Sequence, residues 1–119
     1  MKKIGILGEQ LAAQHLKNQK FDIIAQNFYC KYGEIDIIAE KNNTIYFFEV
    51  KTRHENSINY PAESLTHQKL QRIIKSALTF LDSRRGTSQT IGTKSWRISL
   101  IGILLHGINS AEIEIIDIY

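Results

Sequence analysis

Three carboxylates and an amine fall at alternate positions on two neighbouring apolar runs: Glu34 and Asp36 in the first, Glu49 and Lys51 in the second. Between the runs lies Asn42-Asn43, and asparagine tolerates the positive φ that a two-residue hairpin turn requires. With these as turn residues, Lys41 faces Thr44, Ile38 faces Phe47, Asp36 faces Glu49 and Glu34 faces Lys51. Strand side chains alternate between faces, so 34, 36 and 38 share a face with 47, 49 and 51. The spacing therefore predicts one patch holding Glu34, Asp36, Glu49 and Lys51.

Carboxylates directly opposed across a ladder repel each other, and Lys51 alone leaves two negative charges of this group uncompensated. A bound dication would cancel them. The ligands are hard oxygens, which suit Mg²⁺ or Mn²⁺ and not a Cys/His zinc site. Such an ion activates water and stabilises the charge that develops in phosphodiester hydrolysis, and an amine beside it can orient the water or neutralise that charge. The plain competing reading is a solvated sheet face with chance charges. Against it, the same face carries Ile38, Ile45 and Phe47 nearer the turn, while the other carries Ile35, Ile37, Tyr46, Phe48 and Val50. Lys51 also has a simple role open to it, as the cross-strand partner of Glu34.

The elements that must position this patch follow from periodicity. Residues 4–19 read as a helix, with Ile4, Leu7 and Leu11 on one stripe and Gly5, Ala12, Ala13 and Leu16 on another. The small residues would allow close approach to a sheet. Phe21 to Cys30, Gly33 to Lys41 and Thr44 to Thr52 read as three strands. Residues 53–62 are a polar loop with the single proline, Pro61. Ser64 is the expected N-cap of a second helix carrying Leu70, Ile73, Ile74, Ala77, Leu78 and Leu81 at helical spacing. After a polar stretch, two more strands run from Trp96 to Leu105 and from Glu112 to Ile118, joined by a turn. The order is αβββαββ, which predicts an α/β fold with a mixed sheet of about five strands flanked by helices, in one domain over residues 1–119.

Composition bounds the function. The chain has 119 residues, 43% hydrophobic and 23% charged, which excludes disordered and low-complexity classes. The single Cys30 excludes a disulfide scaffold and is expected to be a small apolar residue. Fifteen basic against twelve acidic residues give +3, a mild bias compatible with an anionic partner. The apolar stretch after Met1 ends at Gly8-Glu9, too short for a secretory segment, and no stretch approaches a membrane span. The expected location is the cytoplasm, with no membrane partner.

The Asp…Glu-x-Lys pattern of Asp36, Glu49 and Lys51 resembles the metal site of the restriction-endonuclease-like, or PD-(D/E)xK, nuclease superfamily. The wider text is more specific: Gly8-Glu9, Ala12, Leu16, Asn27, Gly33-Glu34-Ile35-Asp36, Phe48-Glu49-Val50-Lys51-Thr52-Arg53, Pro61, Lys69 and Ala77 resemble the YraN family of predicted endonucleases. The likeness runs from about Gly5 to Ile101, and that family is related by fold to Holliday junction resolvases. The resemblance implies a restriction-endonuclease-like sheet. It implies Asp36 and Glu49 as metal ligands with the Val50 carbonyl as a third, Lys51 as the catalytic lysine, Glu9 completing the site from the first helix, and Glu34 in the outer shell. Mg²⁺ or Mn²⁺ would be the cofactor, and DNA, including branched or repair-intermediate DNA, the substrate. Four positions depart from the family pattern: Lys20 stands where glycine is common, Tyr29 where arginine is common, Asn59 replaces a glycine before Pro61, and Ser99 replaces an aspartate.

Glu9 shares a helical stripe with Ala13 and Leu16, which turns it toward the sheet; a surface acid favoured by the helix dipole is the alternative. Arg53, Lys69, Arg72, Lys75, Arg84, Arg85, Lys94 and Arg97 form a pool for phosphate contacts, which give affinity without sequence readout. Arg53, Lys69 and Arg72 are the expected nucleic-acid contacts. His15, His54, His67 and His106 show no metal-ligand spacing, no Ser/His/Asp set is recognisable, and Trp96 is expected to pack. A non-catalytic nucleic-acid-binding or protein-interaction module is the alternative to a nuclease. The apolar last strand, Ile113-Glu114-Ile115-Ile116, offers an edge for a homodimer.

Overall fold

A computed structural model describes residues 2–55, 65–83, 94–107 and 109–119. Seven elements follow in the order α1 (Lys2–Asn18), β1 (Asp22–Cys30), β2 (Gly33–Lys41), β3 (Thr44–His54), α2 (His67–Ser83), β4 (Ser95–His106) and β5 (Ser110–Asp117). The five strands form one sheet in sequential order, antiparallel except where β3 and β4 run parallel. The α/β class, the mixed five-stranded sheet and the αβββαββ order are those read from the sequence. The parallel step is the one that needs a crossover, and α2 lies within it.

Each helix covers one face. On one, Ala12, Ala13 and Leu16 of α1 pack on Ile37, Ala39, Phe48, Ile101, Ile103 and Leu105. On the other, Ile73, Ala77 and Phe80 of α2 pack on Ile35, Ile38, Ile45, Phe47 and Ile98. This double cover explains the hairpin that is apolar on both sides. The α1 stripe that wins is the small one. Leu7 is 44% exposed, whereas Ala12 and Leu16 are fully buried. Close approach is made at Gly8 and not at Gly5: a Cβ on Gly8 would lie 1.7 Å from Thr52 Oγ1, while one on Gly5 would meet nothing.

Local signals explain the element ends. Asn42 and Asn43 both have positive φ, 51° and 64°, as the hairpin turn demands. At the end of α1, Lys20 has φ 71°. The Phe21 amide donates to the Leu16 carbonyl at 2.9 Å and the Lys20 amide to the Lys17 carbonyl at 3.0 Å, the paired bonds of a Schellman C-cap. Lys20 thus holds the left-handed position that favours glycine, which accounts for the departure noted there. Thr66 caps α2: its Oγ1 accepts from the Lys69 amide at 3.1 Å. Ser64, Asn59, Pro61, Arg84 and Arg85 lie outside the described residues. The third strand runs on through Arg53 and His54, polar residues that read as loop, because β4 pairs with it as far as His54↔Leu105.

Ile35 corrects the face assignment. Alternation places it with Ile37 and Phe48, yet it packs in the α2 cluster with Phe28, its partner on β1. The register of β1 on β2 shifts between Ile23 and Ala25, and Asn27 adopts φ 53°. The Asn27 conformation lies between the pairs Gln26↔Ile37 and Phe28↔Ile35, at the level of Asp36, where strand alternation is broken beside the site.

Candidate active site

The expected hairpin register holds for Lys41↔Thr44, Ile38↔Phe47 and Ile37↔Phe48, and there the ladder ends. Asp36 with Glu49 and Glu34 with Lys51 are not ladder pairs. Continued pairing would set the Asp36 and Glu49 carboxylates directly opposite each other, which is destabilising. At the point of divergence the Val50 amide donates to Asp36 Oδ2 at 2.8 Å, so a side chain replaces the lost backbone acceptor. The N–H and C=O of one strand residue point to the same side, so the Val50 carbonyl also opens toward β2.

A cavity of about 330 Å³ occupies the α2 side of this gap. It is lined by Gly33, Glu34, Asp36 and Glu49 from the strands, by Tyr32 from the β1–β2 link, and by Lys69, Arg72, Ile73 and Ser76 from α2. Three of the predicted carboxylates therefore do converge, as side chains around a cavity and not as opposed ladder positions. Burial, then the charge of Glu49, with smaller contributions from Glu9 and Glu34, pushes the Asp36 carboxyl up to about 7 despite the Val50 hydrogen bond. Burial first, then Glu34 and Glu49, likewise raises Glu9. The four carboxylates act on one another as a group.

Glu9 comes from the helix on the other face and does not line the cavity. Its link to the group is Asn27. With its nitrogen facing the carboxylates, the Asn27 amide donates to Glu34 Oε2 at 2.7 Å and to Glu9 Oε1 at 3.2 Å. The close pass of Gly8 over Thr52 sets α1 at the depth that allows this. Asn27 is a member of the site that neither the charge pattern nor the hairpin spacing marks. An asparagine inside a strand was the available signal, since it is one of the few residues that adopt positive φ readily.

Lys51 lies two residues beyond Glu49 on β3 but is not part of the cavity wall, and no ion pair joins it to Glu34. The amine that meets the carboxylates is Lys69, with Nζ 3.7 Å from Glu49 Oε2. Lys69 and Arg72, chosen as nucleic-acid contacts, both line the cavity; Arg53, four residues past Glu49 on β3, does not. Two other cations of the pool are engaged elsewhere, Lys94 with Glu40 and Arg97 with Asp117.

Tyr29 sits opposite Glu34 and is 71% exposed. The Glu34 charge and the hydrogen bond between them raise its phenol, so it stays protonated beside the carboxylate. Ser99 is buried and donates to Asp117 Oδ1 at 2.7 Å, fastening β4 to β5 away from the cavity. Trp96 packs against Phe47 and Tyr119. Cys30 is not simply apolar: its Sγ donates to Ser76 Oγ at 3.3 Å. Burial raises its thiol, but hydrogen bonding with Ser76, Thr79 and the backbone of Tyr32 and Gly33 together outweighs burial and leaves it lowered. Among the described residues, no three His, Cys, Asp or Glu side chains stand close enough together to ligate a metal as they are placed. No helix among them is long and apolar enough to cross a membrane.

A family model described as "Uncharacterised protein family UPF0102" matches residues 8–103, nearly the stretch that carries the sequence resemblance. A UPF0102 protein of Clostridium botulinum (strain Loch Maree / Type A3) is 39% identical over 110 residues, 92% of this chain and 85% of its own. One from Clostridium perfringens is 46% identical over 84 residues, 71% of this chain and 69% of its own. One from Syntrophomonas wolfei is 39% identical over 82 residues, 69% of this chain and 71% of its own.

Proposed function

The chain belongs to the uncharacterised protein family UPF0102, and from that premise we propose that it is a Mg²⁺- or Mn²⁺-dependent endonuclease that hydrolyses phosphodiester bonds of DNA, with branched and repair-intermediate DNA as the first substrates to test. The observation that carries this reading is the half-buried Asp36. One oxygen is fixed by the Val50 amide, and its carboxyl is pushed up to about 7 by burial and by the carboxylates around it. Such a group holds a proton at neutral pH or gives it up to a cation.

Asp36 and Glu49 would hold the dication with the Val50 carbonyl. This fits the habit of Mg²⁺, which takes one or two carboxylates and keeps waters for the rest of its shell. When bound, the ion lowers the pKa of water and neutralises developing negative charge. The chain's own groups do the remainder. Lys69 and Arg72 offer positive charge to the phosphate at the cavity wall. Lys51 is the proposed catalytic lysine, positioning the attacking water from the β3 side. Glu9 and Glu34, tied together through Asn27, set the charge felt by Asp36 from outside the ligand set. The roles given to Asp36, Glu49 and Lys51 are those that their resemblance to the nuclease superfamily implies.

The spread of the carboxylates favours a second reading, a non-catalytic nucleic-acid-binding or protein-interaction module with the same fold. Incubation of the purified protein with Mn²⁺ and linear, nicked, flapped or four-way DNA separates the two, with Asp36→Asn as control. Cleavage that the substitution abolishes supports the nuclease. Absence of cleavage together with absence of saturable Mn²⁺ binding supports the module. A homodimer through the β5 edge belongs to this proposal as well, and sedimentation at high concentration tests it.

A further inference from the structure

The β1–β2 link carries an aromatic ring at the cavity wall. Tyr32 is half-buried there, beside Gly33. Its ring holds two ammonium groups, Lys31 Nζ at 5.1 Å and Lys75 Nζ at 5.6 Å from the centroid. Lys31 precedes it in the link and Lys75 comes from α2, so the ring ties the link to the helix. Neither lysine is ion-paired among the described residues, although acidic side chains line the same cavity. Lys69 and Arg72 line the cavity with Tyr32, next to its acidic side chains, and the ring adds Lys31 and Lys75 beside that wall. A Cβ built on Gly33 meets nothing within 4 Å, so the wall beside the ring is open.

Cations recognise phosphates on any strand, but an aromatic ring recognises only a base whose face is uncovered. In a duplex both faces are stacked and the edges paired. The cavity volume, about 330 Å³, lies at the lower end of the range for pockets that enclose one small ligand. It suits one extruded nucleotide and not a double helix. Lysines held over a ring can swing to phosphate and leave the ring face to a base. Resting on the nuclease reading of the cavity, we propose that Tyr32 is a specificity residue that stacks on an unpaired base, and that the substrate class is DNA that is single-stranded beside the scissile phosphate.

The test is fluorescence anisotropy on the full chain with Ca²⁺ in place of Mg²⁺. The probes are a short labelled single strand, the same strand annealed to its complement, and the same strand with abasic sites. The expected result is single-strand binding about ten-fold tighter than duplex binding, lost by roughly that factor in Tyr32→Ala and kept in Tyr32→Phe. The abasic strand should bind wild type as weakly as the intact strand binds Tyr32→Ala. Equal affinity for single strand and duplex, or for intact and abasic strands, overturns the proposal, whatever Tyr32→Ala does to folding. A parallel Mn²⁺ incubation of the same oligonucleotides separates the two levels of inference. Tyr32-dependent single-strand binding without cleavage supports the specificity and removes the nuclease reading. Cleavage of both forms, indifferent to Tyr32→Ala, overturns the specificity and leaves the nuclease.

Discussion

The Val50 amide donates to Asp36 Oδ2 at 2.8 Å, at the place where β2 and β3 stop pairing. A carboxylate there serves as a backbone acceptor and, at the same time, as the most perturbed acid of the cavity, pushed up to about 7. The cost of that dual position is measurable. An acid whose folded pKa lies above its unfolded value binds its proton more tightly in the native state. The metal-free protein should therefore lose stability as pH rises from about 4 through about 7. Asp36→Asn keeps an acceptor for Val50 and removes the charge. With allowance for solvent screening, it should be more stable than wild type at pH 8 by on the order of 2 kcal/mol and little different at pH 4. Urea melts at the two pH values measure this. A variant less stable than wild type at pH 8 would contradict the assignment.

Metal should reverse the same effect. Mn²⁺ added at pH 8 should raise the melting temperature of wild type, because a ligand that binds only the native state stabilises it by mass action. Asp36→Asn and Glu49→Gln should each lose most of that gain. In the cleavage assay both should fall by about 100-fold or more, as should Lys51→Ala, while the fold is retained. Lys69→Ala should instead weaken DNA binding, since its amine faces the cavity from α2.

Gly8 and Thr52 set the depth of α1. An alanine at a helix interior normally gains about 1 kcal/mol over glycine, but here its Cβ would lie 1.7 Å from Thr52 Oγ1 and 2.9 Å from Thr52 Cβ. Gly8→Ala should therefore destabilise by about 1–3 kcal/mol, and denaturant titration gives the sign directly. Thr52→Ala in the same chain removes the hydroxyl and should recover part of the loss.

Lys20 is a lysine in a glycine position. Relief of the left-handed conformation is worth about 1–2 kcal/mol, against the extra chain entropy that glycine brings. Lys20→Gly should raise stability by about 0.5–1 kcal/mol, a few degrees in melting temperature for a domain of this size. No gain in a thermal melt would count against the Schellman description of this C-cap.

His106, at the end of β4, joins β5 to the residue that follows β3. Its Nδ1 meets Glu55 Oε2 at 2.8 Å and its Nε2 meets Glu112. The hydrogen bond to Glu55 and then that to Glu112 raise its pKa. A histidine raised on folding contributes stability that is present below its unfolded pKa and is lost as pH rises through the folded one. The stability gap between wild type and His106→Gln should therefore be largest at mildly acidic pH and shrink on the alkaline side, as paired denaturation curves across that range would show.

Periodicity and turn chemistry determined much of this protein from sequence. The αβββαββ order, the Asn42-Asn43 turn and the register from Lys41↔Thr44 to Ile37↔Phe48 are short-range properties, written in alternation and in residues that tolerate positive φ. The gathering of Glu34, Asp36 and Glu49 was legible for the same reason. Tertiary structure decided what lies further apart in the chain. The ladder ends before Asp36, and the charge of Glu49 acts on Asp36 only once the strands meet. Lys69, and not Lys51, reaches Glu49 because α2 crosses over the sheet. Asn27 joins Glu9 to Glu34 because Gly8 lets α1 descend onto Thr52. Local pattern sets which face most strand residues take, Ile35 excepted, whereas the depth and angle of helix packing set which charges become neighbours, and those depend on contacts that no single segment contains.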